Sequence, residues 1–313
     1  MKDLLFEYDM QLDFAPPVEE HRFTLKCIPQ TDERQLIRRL DVEVYPKEFL
    51  STDKDSFGNH SIYGYTKGKH DRFFARVRGQ ARTGLAPCLP AKAEHQVGLF
   101  KYQTDYTRPG PAILKFAEQF EKERTAYENS CETINIAAAS ENFLTAGTIA
   151  SEATEPVRGS KDGMINAGDA SIPANSALAL AITMMHSLYE NFSYVQGVTN
   201  VQTTAEEAMA LGRGVCQDYS HILLSLCRMA HIPCRYVVGM LIGEGLSHAW
   251  VEVCSGGHWY ALDPTNNLIV DDAHIKISAG RDYHDCIVSQ GVFVGRTTQT
   301  QTVAVRVREG GDV

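Results

Sequence analysis

The sequence predicts an α+β protein in which an N-terminal all-β sandwich precedes a second domain with a helix packed on an antiparallel sheet. Residues 40–45 and 74–77 alternate apolar and polar side chains, which is typical of a sheet with one buried face. Further along, a helical pattern near residue 216 is followed by three strand-like runs. We place the boundary near residue 105, which gives domains at 1–105 and 106–313.

The strand-like runs of the first domain occupy residues 1 to about 82 and are separated by turn signals. In order they read LLFEYDMQLDF, RFTLKCI, LIRRLDVEVYP, NHSIYGYT and DRFFARVRGQA. A connector rich in Pro and Gly follows at 83–111. The stretch at 140–173 is rich in small and polar residues with little periodicity, which predicts a long surface loop.

The second domain begins with helical patterns and continues with strands. Apolar residues recur at helical spacing in AILKFAEQFEKERTAYEN, ANSALALAITMMHSLYENF and VCQDYSHILLSLCRMAHI. The last of these predicts a helix that starts near Gly214. The runs RYVVGMLI, HAWVEVC and HWYALD then predict three strands.

The composition narrows the classes of partner. The 313 residues are 43% hydrophobic and carry a net charge of −9. Because phosphate binding needs a basic surface, nucleic acid is not an expected partner. No run approaches the about 20 apolar residues that span a bilayer, so no membrane partner is expected. Asp3, Glu7 and Asp9 interrupt the first ten residues, which argues against a secretory signal and makes a cytoplasmic location the expectation.

The eight cysteines are widely spaced and form no C-x-x-C pair, so we expect reduced thiols packed mostly as small hydrophobic side chains. A zinc site built from Cys216, Cys227, Cys234 and Cys254 is one alternative, but the spacings match no usual ligand arrangement. No other feature implies a cofactor. We therefore expect neither a metal nor a cofactor.

Cys216 lies in the first turn of the predicted helix, directly after Gly212 and Gly214. The unpaired N–H groups and the positive end of the helix dipole favour a thiolate there. The two glycines would let a substrate backbone approach the sulfur. The alternative is a buried core cysteine like Cys227, and a reactive thiol also needs a base held by a third group.

His248 and Asp263 are candidates for that base and third group. If HAWVEVC and HWYALD pair through a four-residue turn at 254–257, His248 faces Asp263 on one side of the sheet. A carboxylate at that position would orient the imidazole and stabilise the imidazolium. His248 could instead make a simple cross-strand salt bridge, and Asp263 could only open the turn Asp-Pro-Thr-Asn-Asn.

Trp250 lies two residues after His248 and shares its strand face, so it could shield the site or line a substrate groove; core packing is an equally good interpretation. Other histidines have no evident geometric partner, and we expect surface or packing roles for them. These are His221, His231, His258, His274 and His284.

The blocks GRGVCQDYSH at 212–221, SHAWVEV at 247–253 and WYALDPTN at 259–266 resemble the bacterial transglutaminase-like cysteine protease family. The resemblance covers roughly residues 174–296, and DSFGN at 55–59 resembles the β-sandwich that precedes the core. It implies a papain-like core in which Cys216, His248 and Asp263 form the catalytic triad. The family often has Ala at the position of Cys234.

The resemblance implies attack of a Cys216 thiolate on an amide and a thioester acyl-enzyme, with a peptide or protein substrate. We predict hydrolysis of peptide or isopeptide amides, because water is always present as an acceptor. Transfer to an amine and a catalytically silent binding module are the alternatives. The Cys216 N–H would hold the oxyanion, and Tyr194 is a candidate second donor or else a core aromatic.

Overall fold

The computed structural model describes residues 1–91, 94–128, 172 and 176–310. The loop predicted at 140–173 therefore lies outside the described residues, apart from Ile172. The strands are β1 (Lys2–Leu25), β2 (Gln35–Tyr45), β3 (Phe49–Lys54), β4 (His60–Thr66), β5 (His70–Thr83), β6 (Leu89–Pro90), β7 (Ser193–Tyr194), β8 (Arg213–Gly214), β9 (Cys234–Leu241), β10 (Gly243–Gly245), β11 (His248–Ser255), β12 (His258–Asp263), β13 (Leu268–Ile269), β14 (His274–Gly280), β15 (Ser289–Val294) and β16 (Thr298–Glu309).

Helices occupy the middle of the chain. They are α1 (Glu94–Leu99), α2 (Pro111–Ala117), α3 (Glu121–Glu128), α4 (Ala177–Asn191), α5 (Ala205–Leu211) and α6 (Cys216–Met229), with 3₁₀ turns at Glu118–Phe120 and Tyr283–Cys286. Among the described residues, none of these helices has the length and apolar content needed to cross a membrane.

β1 is a long strand that belongs to two branches of one antiparallel sheet. Its residues 2–15 pair with β5 and β16, whereas residues 18–25 pair mainly with β4 and β15. β2, β3 and β10 extend the branches at their edges. The predicted runs LLFEYDMQLDF and RFTLKCI are therefore one strand, and the later segments β10, β15 and β16 complete the sheet of the N-terminal region.

Alternation along β1 separates a buried side from a charged side. Leu4, Phe6, Tyr8 and Met10 are buried in the core of the N-terminal region. The outer side carries opposite charges that face each other across β1 and β5, at Asp3–Arg82, Glu7–Arg78, Asp9–Arg76 and Asp13–Arg72. This is the pattern of a sheet with one buried and one solvated face.

The second sheet has the order β13-β12-β11-β9-β14, and β6 pairs with β12. Ala249, Val251 and Val253 of β11 pack in the same core as α4 and α6, while Trp250 packs in a separate cluster with Val237. The central strand is thus buried on both faces. The N-terminal region is an antiparallel β structure, and the second region has helices packed on an antiparallel sheet. This confirms the predicted α+β class.

The hairpin of β11 and β12 differs from the predicted register. The turn consists of two residues, Gly256 and Gly257, with φ of 52° and 76°, and Ser255 pairs with His258. Positive φ at both positions is typical of the tight turns that match strand twist. The predicted four-residue turn is therefore wrong. Val251 pairs with Leu262, two positions from the expected partner, and an even shift keeps every side chain on its predicted face.

The turn DSFGN at 55–59 fastens the N-terminal region to the second sheet. The amide side chain of Asn59 accepts a hydrogen bond from Ala279 N and donates one to Ala279 O, both at 2.8 Å. Asp55 accepts from the Asn59 side chain at 3.0 Å and pairs with Lys26 at 2.8 Å. A buried polar clamp therefore joins this turn to β14.

Candidate active site

The Cys216 side chain is the first of α6 and is partly exposed. Asp218, two residues later, fixes the start of the helix because its Oδ2 accepts from Val215 N and from Thr199 Oγ1, each at 2.7 Å. The N–H groups of a first helical turn have no acceptor within the helix. The fold therefore presents the thiol beside backbone donors and the positive end of the helix dipole.

Glycine is needed at positions 212 and 214, before Cys216, for two different structural reasons. Gly212 ends α5 with φ of 69°, a conformation that favours glycine. Gly214 is buried, and a Cβ there would collide with the carboxylate of Asp218. The observed packing reason for Gly214 is thus the close approach of Asp218.

His248 begins β11 and Asp263 ends β12, and their side chains meet across the hairpin. His248 Nε2 lies 2.7 Å from Asp263 Oδ2. The side chain of His248 is 11% exposed and that of Asp263 is completely buried. The structure therefore joins this pair even though the two residues are not direct cross-strand partners.

Asp263 is surrounded by donors from the turn that follows it. Its Oδ1 accepts from Thr265 N at 3.0 Å and from Asn266 N at 3.2 Å, and its Oδ2 accepts from Asn266 Nδ2 at 2.7 Å. His274 Nε2 lies 3.2 Å from the same Oδ2. The carboxylate therefore both organises the turn and contacts His248, so the two alternatives considered for Asp263 coexist.

These contacts perturb the ionisation of both partners. Burial acts to lower the pKa of His248, but the Asp263 carboxylate and the Cys216 thiol outweigh it and raise the pKa from 6.5 to about 10. Burial acts to raise the pKa of Asp263, but His248 and His274 hold it far below its ordinary value. A charged imidazolium beside a charged carboxylate is the favoured state at neutral pH.

The Cys216 side chain lies close enough to His248 to help raise the pKa of the imidazole, through hydrogen bonding and charge. Since Nε2 of the ring faces Asp263, the other nitrogen, Nδ1, is the one available to the sulfur. Cys216, His248 and Asp263 thus form one continuous chain of thiol, imidazole and carboxylate, with the thiol at the solvent side.

Tyr194 and Trp250 both lie close to this chain. Tyr194 pairs with Gly214 between β7 and β8, and its pKa is raised mainly by burial, with a contribution from the Cys216 sulfur. The Trp250 ring is 2% exposed, and its centroid lies 6.2 Å from that of His248 and 5.3 Å from that of His274. Tyr194 is therefore beside Cys216, whereas Trp250 packs against the two imidazoles.

Sequence reasoning missed His274, Asn266 and Asp218. A signal existed for Asn266, since Asp-Pro-Thr-Asn-Asn is a turn in which side chains bind nearby backbone groups. His274 opens β14 in the way His248 opens β11, but its position beside Asp263 requires knowledge of the sheet order.

His248, Asp263 and His274 have the composition of a metal site, with ligand atoms within 4.8 Å of one another. Both Nε2 atoms, however, already face Asp263 Oδ2 at hydrogen-bonding distance. An ion among them would have to displace these bonds. The geometry is that of a proton-sharing network.

Two family models match the chain. The transglutaminase-like superfamily model matches residues 168–264, which contain all three candidate residues, and the bacterial transglutaminase-like N-terminal region matches residues 5–82. The second match corresponds to β1 through most of β5.

The chain is also similar to individual mycobacterial proteins. An uncharacterized protein of Mycobacterium leprae is 37% identical over 124 residues, which are 36% of this chain and 44% of that protein. Uncharacterized proteins of Mycobacterium tuberculosis are 28% identical over 138 residues, 39% of this chain and 44% of theirs. The alignments thus span less than half the length of these relatives.

A crystal structure of a candidate cysteine protease from Cytophaga hutchinsonii is similar in fold. It superposes with a TM-score of 0.64 at 18% identity, and the match covers 100% of this chain and 92% of that one. At 18% identity, this similarity shows that the two chains share an arrangement of strands and helices.

Proposed function

From the membership of this chain in the transglutaminase-like superfamily, whose core it carries at 168–264, we propose that it is a cysteine hydrolase of peptide or isopeptide amide bonds. The observation that carries the proposal is the chain of hydrogen bonds from the Cys216 thiol through His248 to the buried carboxylate of Asp263. A nucleophile, a base and an orienting group in hydrogen-bond contact are the parts that acyl transfer needs.

Acylation begins with the proton of Cys216 on His248, which leaves a thiolate and an imidazolium. The sulfur attacks the amide carbonyl and forms a C–S bond, and the carbonyl oxygen takes the negative charge. When the C–N bond breaks, His248 gives its proton to the leaving amine. The product of this half-reaction is a thioester on Cys216 and a free amine.

Deacylation reverses the roles with water as the nucleophile. His248, now neutral, takes a proton from water as the hydroxide equivalent attacks the thioester. The C–S bond breaks, the carboxylic acid product leaves, and the proton returns to the Cys216–His248 pair. Asp263 keeps the ring orientation and stabilises the imidazolium in both halves.

The negative oxygen formed in each half-reaction needs donors. The backbone N–H of Cys216 at the helix start supplies one, and the half-buried phenol of Tyr194 is our candidate for the second. The pairing of Tyr194 with Gly214 between β7 and β8 places Tyr194 beside the residues that lead into Cys216. Water as the acceptor is favoured by the partial exposure of Cys216.

Selective alkylation tests the state of the thiol. Iodoacetamide at neutral pH, followed by peptide mapping, should label Cys216 ahead of Cys88, the other partly exposed cysteine in the described part of the chain. Burial raises the pKa of Cys88, so its thiol stays protonated. Equal labelling of the two residues would contradict an activated Cys216.

Product analysis separates hydrolysis from amine transfer. A peptide library and isopeptide-linked peptides are incubated with the chain, with and without a labelled primary amine, beside a Cys216→Ala control. We expect cleavage products that depend on Cys216 and little amine incorporation. Incorporation in place of cleavage would make the protein an acyl transferase, and loss of neither product in the control would remove Cys216 from the mechanism.

A further inference from the structure

The imidazole of His274 lies between two carboxylates. Its Nε2 is 3.2 Å from Asp263 Oδ2 and its Nδ1 is 3.3 Å from Asp271 Oδ1. The side chain is 2% exposed. Asp271 belongs to the turn before β14 and is about half exposed, whereas Asp263 is buried.

This arrangement is satisfied only by the protonated ring. A neutral imidazole carries one N–H, so its second nitrogen would present a lone pair to a carboxylate oxygen. An imidazolium donates from both nitrogens. The pKa of His274 agrees with this, because burial lowers it but the two carboxylates raise it above its ordinary value.

The charges around His274 come from several elements. His248 on β11 has its ring centroid 5.9 Å away, and the indole of Trp250 packs edge-on to the ring. His274 also lines a cavity of about 20 Å³. The other charged groups that line this cavity are Asp32, Arg34, Glu252 and Lys276, in addition to Asp271.

We propose that His274 is a positioning residue for the reactive pair: fixed between Asp263 and Asp271, it holds the Asp263 carboxylate against His248 and places a second cation on the same oxygen. The inference rests on the proposed function, since it concerns how readily His248 releases its proton. One carboxylate oxygen then serves two cationic rings, and each ring is stabilised less than it would be alone.

The physical consequence is an adjusted acidity of His248. A leaving amine must receive the proton of His248, so an imidazolium stabilised too strongly would be a poor acid. Two like charges about 6 Å apart in a buried setting repel each other enough to shift a pKa by about one unit or more. The charge of His274 would therefore oppose the effect of Asp263 on His248 and make the imidazolium a better acid.

The test is the titration of His248 in the His274→Gln variant. Glutamine keeps a neutral N–H donor for Asp263 and removes the positive charge. In protein labelled with ¹⁵N-histidine, we expect the pKa of His248 to rise by about one unit relative to the parent chain. The apparent pKa of the basic limb in the pH profile of kcat/KM should rise by the same amount. His284→Gln, an exposed histidine outside the network, is the matched control.

An unchanged His248 pKa in a folded His274→Gln variant would overturn the inference, since a merely structural histidine would alter stability alone. If that variant does not fold, Asp271→Asn is the second variant. It removes the outer carboxylate, so the pKa of His274 falls and the ring loses its charge at a lower pH. The pKa of His248 should then rise, as in His274→Gln. Failure of Cys216 to react with iodoacetamide would contradict the proposed function, whereas the titration needs no substrate and decides the role of His274 by itself.

Discussion

At the scale of single residues, Asp263 is a fully buried charge that the fold surrounds with donors. The backbone of Thr265 and Asn266, the Asn266 amide and two imidazoles all face its oxygens. A buried carboxylate without such partners would cost several kcal/mol. The hydrogen bonds therefore make a permanent negative charge possible directly behind His248.

The perturbed pKa of His248 predicts how stability depends on pH. Because the pKa is raised from 6.5 to about 10 in the folded chain, the folded state holds this proton more tightly than the unfolded state. The contribution is complete below pH 6.5 and is lost as the pH rises toward 10. Urea unfolding across this range should show falling stability.

The Asp263→Asn variant is the comparison for this pH dependence. Without the carboxylate the raised pKa loses its main electrostatic cause, so the decline between pH 6.5 and 10 should become shallower. The same slope in both proteins would show that His248 and Asp263 are not coupled in the folded chain. The Asp263 carboxylate has the opposite pH dependence. Because its pKa is lowered in the folded chain, it stabilises the fold at neutral pH, and this contribution is lost as the pH falls into the acid range.

Local sequence was sufficient to select Cys216, His248 and Asp263 as candidates, because each stands at a recognisable end of a helix or strand. It was not sufficient for His274. That side chain reaches Asp263 only because β14 lies beside β9 and β9 beside β11, and no local pattern encodes this order. Spatial partners brought together by sheet order have no sequence signature of their own.

At the scale of elements, the β11–β12 hairpin determines where His248 and Asp263 stand. The sequence predicts both strands and the correct face of each residue, but it predicts a turn of four residues, and the structure has two. Gly256 and Gly257 between two apolar runs are the signal that favours the shorter turn. The error left the site intact because an even register shift preserves side-chain faces.

The Gly257→Ala substitution tests this turn. With φ of 76° and open space around the position, the cost is purely conformational, about 1–2 kcal/mol in unfolding free energy. Gly257→Asn should lose less, since asparagine tolerates this conformation. Gly98→Ala in α1, also in open space but without positive φ, is the matched control and should be neutral or stabilising. An equal loss at both glycines would contradict the turn geometry.

At the scale of the whole molecule, two apolar cores are held together by a few polar contacts and shared strands. Met240 and Ile275 of the second sheet enter the core of the N-terminal region. Asn59 bridges to β14 from the other side. The sequence indicated both regions and a boundary near 105, but it could not indicate that strands after residue 240 return to the first sheet, since such pairings are non-local.

The Asn59→Ala substitution tests the coupling of the two regions. It leaves the N–H and C=O of Ala279 without their buried partner, and we expect a loss of about 1–3 kcal/mol in unfolding free energy by urea titration. Asn191→Ala is the control, because that exposed side chain donates its hydrogen bond to Ser187 O within its own helix. A loss no larger than that of the control would mean that the clamp contributes nothing to stability.

The pairing of β1 with β16 has a consequence for a chain still on the ribosome. Residues 2–15 are synthesised early, but one edge of their strand stays unpaired until β16 has been synthesised. An unpaired strand edge can form hydrogen bonds with a strand of another chain. β10, which directly precedes the segment leading to His248, also depends on β16 for its pairing. A nascent chain would therefore contain Cys216 and His248 before β1 and β10 have found their last pairing partner, and the sheet of the N-terminal region would be complete only once β16 has been made.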